Sequence, residues 1–333
     1  MEYNYLVSII CPSFNHEKYI ERSLQGFVIQ KTSFLFEIIV HDDASNDNSA
    51  SIIRTYESKY PKLFNAIFQS ENKHNQGEHI WFDLMFPKVK GKYIALCEGD
   101  DYWTDPYKLQ KQVDFLEANP DYGLVHTDCD FFYEGSNILV KDKDNSDGFY
   151  QPSGDILEYL LRQNCIKTLT VCFRKSLFDK IVDLNEHQQN NWLMGDYPMW
   201  LEFAFHSKIK YFPESTAVYR IRQNSASRSQ DAGYNFKFLR SAYDIRIFMI
   251  KKFNLAPEIL KEYTLRYADI LFKYAHLLHE PALAREAKTM LISQAEKSTL
   301  RQKIYEYSSK SPILNSILSL FLNHAILRLK LLK

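Results

Sequence analysis

The first two thirds of the chain alternate between short apolar runs and longer stretches with helical spacing. Runs rich in β-branched and aromatic residues, which are typical of buried strands, occupy 6–11, 36–40, 66–69 and 93–97. The stretches that follow the first three runs predict helices over 17–30, 49–59 and 78–86. Strands and helices in this order indicate an α/β fold whose strands pair in parallel.

The alternation continues, less regularly, to residue 222. Helices are predicted at 105–119, 155–162 and 176–182, and strands at 123–133, 168–174 and 210–222. The polar segment 134–154 is predicted to be a mobile loop. From residue 234 onward only helical spacing remains. We therefore expect a mostly parallel sheet flanked by helices in a domain over 1–230, and a helical domain over 231–333.

Charge is divided unevenly between these two parts. The 333 residues carry 41 Lys and Arg against 41 Asp and Glu, and apolar residues make up 45%, which is ordinary for a globular protein. From Asn235 to the end there are 17 basic and 8 acidic residues, so the preceding part is acidic. The acidic part can hold a cation, and the basic part suits an anionic surface.

Cysteine usage and the N-terminus bear on the compartment. The five cysteines form no C-x-x-C pair, and two of them lie in predicted buried strands. We therefore expect reduced thiols in a cytoplasmic protein. The N-terminus has no basic region before its first apolar run, and no window offers 18 uninterrupted apolar residues. Neither a secretory signal nor a spanning helix is expected from this pattern.

Three carboxylates, Glu98, Asp100 and Asp101, follow the strand at 93–97 around a single glycine. Oxygen ligands suit Mg²⁺ or Mn²⁺, and Mg²⁺ is usually held by one or two carboxylates together with substrate phosphates. A plain surface turn is the alternative, because Gly-Asp-Asp is ordinary turn chemistry. In an open parallel sheet, ligands bind beyond the carboxyl ends of the strands. This acidic segment should therefore meet the loops at 12–15 and 41–47.

Five segments in order resemble the family 2 glycosyltransferases, which have the GT-A fold. They are VSIICPSFN at 7–15, DDASND at 42–47, GKYIALCEGDD at 91–101, GDYPMW at 195–200 and YRIRQNS at 219–225. The resemblance covers residues 7–229. It implies an inverting, metal-dependent enzyme that moves a hexose or N-acetylhexosamine from a nucleoside diphosphate, with UDP as the expected nucleotide, to a saccharide hydroxyl.

The resemblance assigns nucleotide binding to the first two segments. It implies that Pro12, Ser13, Asn15, Asp42 and Asp43 surround the base and the ribose. The chemistry agrees, because a carboxylate can accept hydrogen bonds from a uracil N–H and from ribose hydroxyls. Which of the two aspartates faces the base is left open.

The acidic segment resembles the D-x-D metal motif of the family, with Glu98 where aspartate is more frequent. The resemblance implies that Asp101 is a direct ligand of Mn²⁺ or Mg²⁺, that Glu98 supports it, and that Asp100 lies nearer the donor sugar or ribose. The metal would neutralise charge that develops on the leaving diphosphate.

Asp196 stands where members of the family carry the general base, which takes the proton of the acceptor hydroxyl as it attacks the anomeric carbon. An aspartate between a glycine and a helix can instead be an N-cap. Arg222 stands where many relatives have histidine. A guanidinium can clamp a diphosphate but cannot ligate a metal, so we expect Arg222 to neutralise donor charge. The loop 223–231 is a candidate lid.

Other function classes fit the sequence less well. A nucleotidyltransferase that makes a sugar nucleotide would favour a glycine-rich loop after the first strand, and residues 11–15 contain no glycine. The lack of a G-x-G-x-x-G motif disfavours a dinucleotide oxidoreductase. A non-catalytic binding module with this fold would be expected to have lost the acids at 98–101 and 196, and they are present.

The segment 313–333 is strongly apolar and closes with Arg328, Lys330 and Lys333. This pattern suits a helix in a membrane interface, at the inner face of the cell membrane, and equally a helix buried against a neighbour or in a homo-oligomer. By analogy, the acceptor would be a saccharide or a lipid-linked saccharide of bacterial surface polysaccharide synthesis. A nucleic acid partner is not expected.

Overall fold

The computed structural model describes residues 5–142, 151–222, 231–311 and 313. The chain divides into two compact units: Met1–Asn191 with Gly195–Gln223, and Trp192–Met194 with Asn224–Lys333. Within the described residues, the strands belong to the first unit and the second unit is helical.

The first unit opens with parallel strands joined by helices. Strands β1 (Val7–Ser13), β2 (Phe36–Asp42), β3 (Phe64–Phe68) and β4 (Tyr93–Leu96) lie in the order β3-β2-β1-β4, and every pair is parallel. Helix α1 (Ile20–Val28) joins β1 to β2, and α2 (Ser49–Lys59) joins β2 to β3. The parallel order predicted from the sequence is confirmed for this half of the sheet.

The second half of the sheet is mixed. Its strands are β5 (Tyr102–Trp103), β6 (Tyr122–Tyr133), β7 (Ile138–Val140), β8 (Cys172–Arg174) and β9 (Lys208–Ile221). Strand β8 runs antiparallel to both of its neighbours, β4 and β6, whereas β9 is parallel to β6 and antiparallel to β5. The helices of this half are α3 (Lys108–Ala118), α4 (Leu157–Arg162), α5 (Lys175–Ile181), α6 (Leu184–Asn190) and α7 (Asp196–His206).

Four local predictions differ from the structure. The segment 134–154, predicted to be a mobile loop, contains a 3₁₀ turn, Glu134–Ser136, and the strand β7, which pairs antiparallel with β6; its residues 143–150 lie outside the described ranges. The helix predicted over 78–86 is a π-helical segment, Ile80–Met85, followed by a 3₁₀ turn that contains Pro87. The strand predicted over 168–174 begins as a 3₁₀ turn, Thr168–Thr170. Pro12 does not end β1, which pairs with β2 as far as Ser13. Pairing with β4 already stops at Ile10, so the N–H that proline lacks is not needed for a hydrogen bond to β4.

A buried lysine lies in the core just beyond the acidic segment. Lys108 is fully buried, with its Nζ 4.3 Å from the ring centroid of Trp103 and 2.8 Å from Oε1 of Gln112. Burial lowers the pKa of Lys108 to about 8. The Trp103 indole N–H donates to the Leu169 carbonyl at 2.8 Å, so the chain that leaves the acidic segment is anchored in the core.

The second unit contains α8 (Ala232–Lys252), α9 (Pro257–Leu278), α10 (Pro281–Ser293) and α11 (Leu300–Ser309). These helices confirm the helical spacing of the sequence, and α8 to α10 supply the buried residues of a separate apolar core. Helix α11 starts with a capping box between Thr299 and Gln302.

Several sequence predictions fall on residues outside the described ranges. Of the candidate lid at 223–231, the structure describes Asp231 alone. Of the C-terminal segment 313–333, it describes Ile313 alone. Among the helices that the structure describes, none combines the length and the apolar content that crossing a bilayer requires.

Candidate active site

The carboxyl ends of β1, β2 and β4 lie side by side at one edge of the sheet. Ser13 at the end of β1 is in register with Asp42 at the end of β2. Beyond β4, the N–H of Gly99 donates to the Pro12 carbonyl at 3.0 Å. The three loops that the sequence predicted to converge are therefore neighbours.

The loops after β1 and β2 are fastened to each other by side chains. The N–H of Asn15 donates to Oγ of Ser45 at 2.9 Å, and Oδ1 of Asn15 accepts from the N–H of Asn46 at 2.8 Å. Asn15 has a φ of 54°, a left-handed conformation that asparagine tolerates better than most residues. Further along, Oδ2 of Asp47 accepts from the N–H of Glu17 at 2.9 Å. Asn15 thus joins the two loops.

Asp42 and Asp43 differ in how their oxygens are used. Both oxygens of Asp43 accept backbone N–H groups, from Lys73 at 2.8 Å and from His74 at 3.1 Å. Oδ2 of Asp42 accepts from the N–H of Ser45 at 3.1 Å, but its buried Oδ1 finds no hydrogen-bond partner among the described residues. A buried acceptor without a partner is costly unless a ligand satisfies it. The geometry thus favours Asp42 as the aspartate that meets a ligand.

Tight packing around Gly99 holds the acidic segment against α1. A Cβ at this position would lie 2.9 Å from Nδ1 of His16 and 3.2 Å from the Pro12 carbonyl oxygen, so a larger residue does not fit without movement. The Ser23 hydroxyl of α1 bonds to the carbonyl oxygens of Gly99 and Asp101. Close packing at Gly99 and hydrogen bonds from Ser23 to the backbone therefore hold the turn that carries the three acids.

The two consecutive aspartates of this segment face different partners. Asp101 is only 3% exposed, and its Oδ1 accepts from the backbone N–H of Arg220 on β9 at 2.7 Å. Burial and the charges of Asp100 and Glu98 raise the pKa of Asp101. The side chain of Asp100 is 17% exposed, and its Oδ2 forms an ion pair with Arg222 at 2.8 Å. Asp101 therefore ties the segment to β9, while Asp100 is the more accessible of the two carboxylates.

The ring of Tyr19 supports both arginines. The guanidinium carbons of Arg220 and Arg222 lie 4.6 Å and 5.6 Å from its centroid. Nε of Arg220 also donates to the Asp100 carbonyl at 2.9 Å, and the Tyr19 hydroxyl donates to Glu134 at 2.7 Å. Arg222 is thereby positioned beside Asp100 by an aromatic surface.

Asp196 is the first residue of α7 and lies within electrostatic reach of the acidic segment. The Thr168 hydroxyl donates to Oδ2 of Asp196 at 2.9 Å. Burial raises the pKa of Asp196, and hydrogen bonding from Thr168 opposes the rise. Burial together with the negative charges of Asp100 and Asp196 raises the pKa of Glu98 to about 8. Gly195 stands at the N-cap position of α7, and Asp196 lies in the first turn of the helix.

His16 was missed by the sequence analysis. Its buried Nδ1 lacks a hydrogen-bond partner in the described part of the chain, and its ring abuts Gly99. Burial lowers the pKa of His16, and the negative charge of Asp100 opposes this shift. A single histidine in a polar loop carries no periodic signal, so only its position at the junction of the loops makes it notable. Thr168 was missed for a similar reason, because the pattern presented it as part of a strand.

The acidic segment suits a cation that a ligand brings with it. In the ranges covered by the structure, no group of three or more His, Cys, Asp or Glu side chains is arranged to hold a metal ion. The segment offers the partly exposed Asp100 and the buried Oε2 of Glu98, which has no hydrogen-bond partner in those ranges. A Mg²⁺ or Mn²⁺ ion bound mainly by diphosphate oxygens needs no more than one or two such carboxylates.

Comparison with known proteins adds independent information. The family model described as glycosyl transferase family 2 matches residues 8–179, which is more than half of the chain. An uncharacterized protein of Mycobacterium tuberculosis is 35% identical over 215 residues, which are 64% of this chain and 58% of that protein. The chain therefore spans less than two thirds of the length of that relative.

Relatives with assigned names are more distant. The putative teichuronic acid biosynthesis glycosyltransferase TuaG of Bacillus subtilis is 26% identical over 68% of this chain and 82% of its own length. The Escherichia coli UDP-Glc:alpha-D-GlcNAc-diphosphoundecaprenol beta-1,3-glucosyltransferase WfgD is 25% identical over 73% of this chain and 85% of its own length.

Solved structures share the fold. Staphylococcus aureus TarS in complex with UDP matches with a TM-score of 0.56 and 14% identity, over 91% of this chain and 90% of that one. The mannosyltransferase PcManGT of Pyrobaculum calidifontis, in complex with GDP-Man and Mn²⁺, matches with a TM-score of 0.55 and 14% identity over 95% of this chain and 87% of that one. At this identity the likeness concerns the fold alone.

Proposed function

The chain belongs to glycosyl transferase family 2, and we propose that it transfers a sugar from a nucleoside diphosphate, with UDP as the nucleotide, to a saccharide hydroxyl with inversion. The observation that carries this proposal is the position of Asp196. Its carboxylate is held by Thr168 at 2.9 Å and acts electrostatically on Glu98 of the acidic segment. Thr168 precedes β8, whose first residue, Cys172, pairs with Ala95 near the carboxyl end of β4. The candidate base and the candidate diphosphate site therefore belong to the same edge of the sheet, as a single displacement requires.

In this proposal the nucleotide lies against the loops after β1 and β2. The partnerless Oδ1 of Asp42 accepts from the base or the ribose, and the buried hydroxyl of Ser13, which also lacks a partner among the described residues, lies next to it in register. Asp43 keeps the neighbouring loop in place through Lys73 and His74. Pro12 and Asn15, at the end of β1 and in the loop after it, border the proposed nucleotide site.

The acidic segment receives the diphosphate. Asp101 was expected from the sequence to ligate the metal, but its Oδ1 is committed to the Arg220 N–H, so we propose that Asp100, with Glu98 in support, is the carboxylate that meets a bound cation. A divalent metal bound there would supply positive charge to the leaving diphosphate. Arg222 exchanges Asp100 for a diphosphate oxygen and adds a second positive charge.

Asp196 accepts the proton of the acceptor hydroxyl. Burial raises the pKa of Asp196. Its carboxylate is therefore a stronger base than a carboxylate in water. The neutral hydroxyl of Thr168 fixes the carboxylate without neutralising its charge. The oxygen that loses the proton then forms the new bond at the anomeric carbon as the diphosphate departs.

Two relatives suggest the substrate classes. The names of WfgD and TuaG refer to a diphosphoundecaprenol-linked acceptor and to teichuronic acid synthesis. We propose, on their similarity, a UDP-hexose or UDP-N-acetylhexosamine donor and a lipid-linked saccharide acceptor in the synthesis of a bacterial surface polysaccharide. The reaction would then take place in the cytoplasm at the membrane face.

The experiment is a UDP-release assay with a panel of nucleotide sugars, with Mn²⁺ or with a chelator, and with Asp196→Asn as the matched inactive variant. Metal-dependent release of UDP that is lost in Asp196→Asn supports the proposal. Pyrophosphate release from a nucleoside triphosphate and a sugar phosphate would indicate a nucleotidyltransferase instead. Nucleotide binding without turnover of any sugar in the presence of saccharide acceptors would indicate a binding module.

A further inference from the structure

Helix α11 exposes apolar side chains and buries polar ones. Leu300, Ile304 and Tyr307 are 77%, 38% and 62% exposed. They are spaced four and three residues apart, so they form one stripe along the helix. The buried residues of α11 are polar, and they are Gln302, Glu306, Ser308 and Ser309, while the half-buried Tyr305 packs against the apolar core of the unit. A helix at a protein surface normally buries its apolar side chains and exposes its polar ones, because burial of apolar surface stabilises the folded chain.

The buried side of α11 is held by specific polar contacts. Nε2 of Gln302 donates to Asp269, and the Ser308 hydroxyl is 2.9 Å from Nδ1 of His276 on α9. Glu306 pairs with Lys288 of α10 at 2.7 Å and with Lys310 at 2.8 Å. The orientation of the helix is therefore set by these partners, and the stripe is held outward.

Basic side chains border the stripe on both sides. On a helical projection Lys303 and Lys310 lie along one margin and Arg301 along the other. The acid within α11, Glu306, is buried and paired with two lysines, and Arg301 reaches Asp269 at 3.4 Å. The outward face therefore combines an apolar centre with a margin of net positive charge at Lys303 and Lys310, while the charge of Arg301 on the other margin is balanced by Asp269. This is the composition of a helix that lies in a membrane interface.

We propose that this face of α11 binds the surface of a bilayer that contains anionic lipids, with the stripe among the upper acyl chains and the basic residues at the phosphates. Pairing of two copies through the same face would bring like charges together, which disfavours a dimer. The sequence after α11 has the same character, since 313–333 is apolar and ends in Arg328, Lys330 and Lys333. The proposal concerns the second unit and does not depend on the transferase activity.

The test is co-sedimentation of the full chain with vesicles of phosphatidylcholine, alone or mixed with phosphatidylglycerol. Leu300→Gln, Ile304→Gln and Tyr307→Gln are combined in one variant. Leu35 and Ile138, which are 69% and 53% exposed in the first unit, are changed to Gln in the matched control. We expect the control to bind as wild type does and the stripe variant to lose about tenfold or more in partitioning onto the mixed vesicles.

A charge variant separates the two parts of the interaction. Lys303→Gln removes one positive margin residue and should lower binding to the mixed vesicles about fivefold while leaving the weak binding to phosphatidylcholine unchanged. Since all substituted side chains are exposed, melting temperatures should stay within about 2 °C of wild type, which checks folding.

Three results would overturn the proposal. Wild-type protein that does not sediment with the mixed vesicles excludes a lipid surface as the partner. Unchanged vesicle binding of the stripe variant would assign any membrane affinity to another part of the chain. A wild-type dimer that the stripe variant converts to a monomer, with vesicle binding unaffected, would identify a second copy as the occupant of this face.

Discussion

The Thr168 hydroxyl donates a hydrogen bond of 2.9 Å to Oδ2 of Asp196. Thr168 lies in a 3₁₀ turn just before β8, and Asp196 opens α7, so the contact joins two elements that are 28 residues apart. A hydroxyl fixes the carboxylate and leaves its negative charge intact, which is the combination that a general base needs. The functional importance of this contact can be tested directly.

Thr168→Val keeps the shape of the side chain and removes the hydroxyl. We expect kcat to fall about tenfold with little change in the KM for the donor, since one hydrogen bond to a charged group is lost. That hydrogen bond opposes the rise in the pKa of Asp196, so the acidic limb of the kcat profile should move to higher pH in the variant. Thr168→Ser should restore both values. The control is Thr170→Val, because the Thr170 hydroxyl donates to the Lys167 carbonyl and not to Asp196. An unshifted pH profile in Thr168→Val would reject the positioning role of Thr168.

Asp196→Asn removes the proposed base while keeping its size. Turnover should fall by about 10²- to 10⁴-fold, the usual contribution of general base catalysis, whereas the affinity for UDP should stay within about twofold. Asp179→Asn, at an exposed position paired with Lys175, is the control. Turnover is measured by UDP release and affinity by calorimetry. Wild-type turnover in Asp196→Asn would remove this residue from the mechanism.

The roles of the consecutive aspartates can be separated by paired substitutions. Asp100→Asn should abolish the effect of Mn²⁺ on UDP affinity, because the accessible carboxylate is lost. Asp101→Ala should instead lower the free energy of unfolding by about 1–3 kcal/mol, because the buried N–H of Arg220 loses its acceptor. Calorimetry with and without Mn²⁺ and denaturant unfolding measure the two effects. A loss of the Mn²⁺ effect in Asp101→Ala alone would return the ligand role to Asp101.

A second pair of substitutions concerns Asp42 and Asp43, at the end of β2. Asp42→Asn should weaken UDP binding about tenfold without lowering the melting temperature. Oδ1 of Asp42 has no hydrogen-bond partner among the described residues and is the oxygen proposed to meet the nucleotide. Asp43→Ala should lower the melting temperature, since two backbone N–H groups, of Lys73 and His74, lose their acceptors. Equal loss of UDP affinity in both variants, with equal melting temperatures, would contradict this assignment.

The buried Lys108 predicts a pH dependence of stability. Its pKa is lowered from 10.5 to about 8 in the folded protein, so the unfolded chain binds the extra proton between these values and the folded protein gains stability as pH rises through this window. Lys108→Met should therefore be more stable than wild type below pH 8, with the advantage shrinking by about 3 kcal/mol toward pH 10.5. Denaturant unfolding at several pH values measures the difference between the two proteins. A difference that does not change with pH would contradict the shifted pKa.

The sequence predicted the first half of the fold well because local pattern and tertiary structure agree there. Each strand from β1 to β4 is a short apolar run, and α2 coincides with the helix predicted over 49–59. Further along, the pattern was less informative. Strand β8 comprises only Cys172–Arg174, and the direction in which so short a strand enters the sheet is set by its neighbours rather than by its own residues.

The candidate site shows the same division. The position of Glu98, Asp100 and Asp101 at a strand end followed from the apolar run before them. Their different partners did not, because the Arg220 N–H and the Arg222 guanidinium come from a strand about 120 residues later. The positions of Thr168 and His16 likewise depend on tertiary contacts for which a single sequence has no periodic signal.

The hydrogen bonds that join the loops after β1 and β2 have a consequence for the proposed binding of a nucleotide. Segments already immobilised during folding lose little further entropy when a nucleotide enters, so the cost of ordering falls mainly on the nucleotide itself. A loop pair joined through Asn15 and Asp47 should also resist rearrangement around a heterocycle larger than that of the proposed nucleotide. If the proposed nucleotide lies against these loops, they should act as a rigid template, which rejects a mismatched base instead of adapting to it.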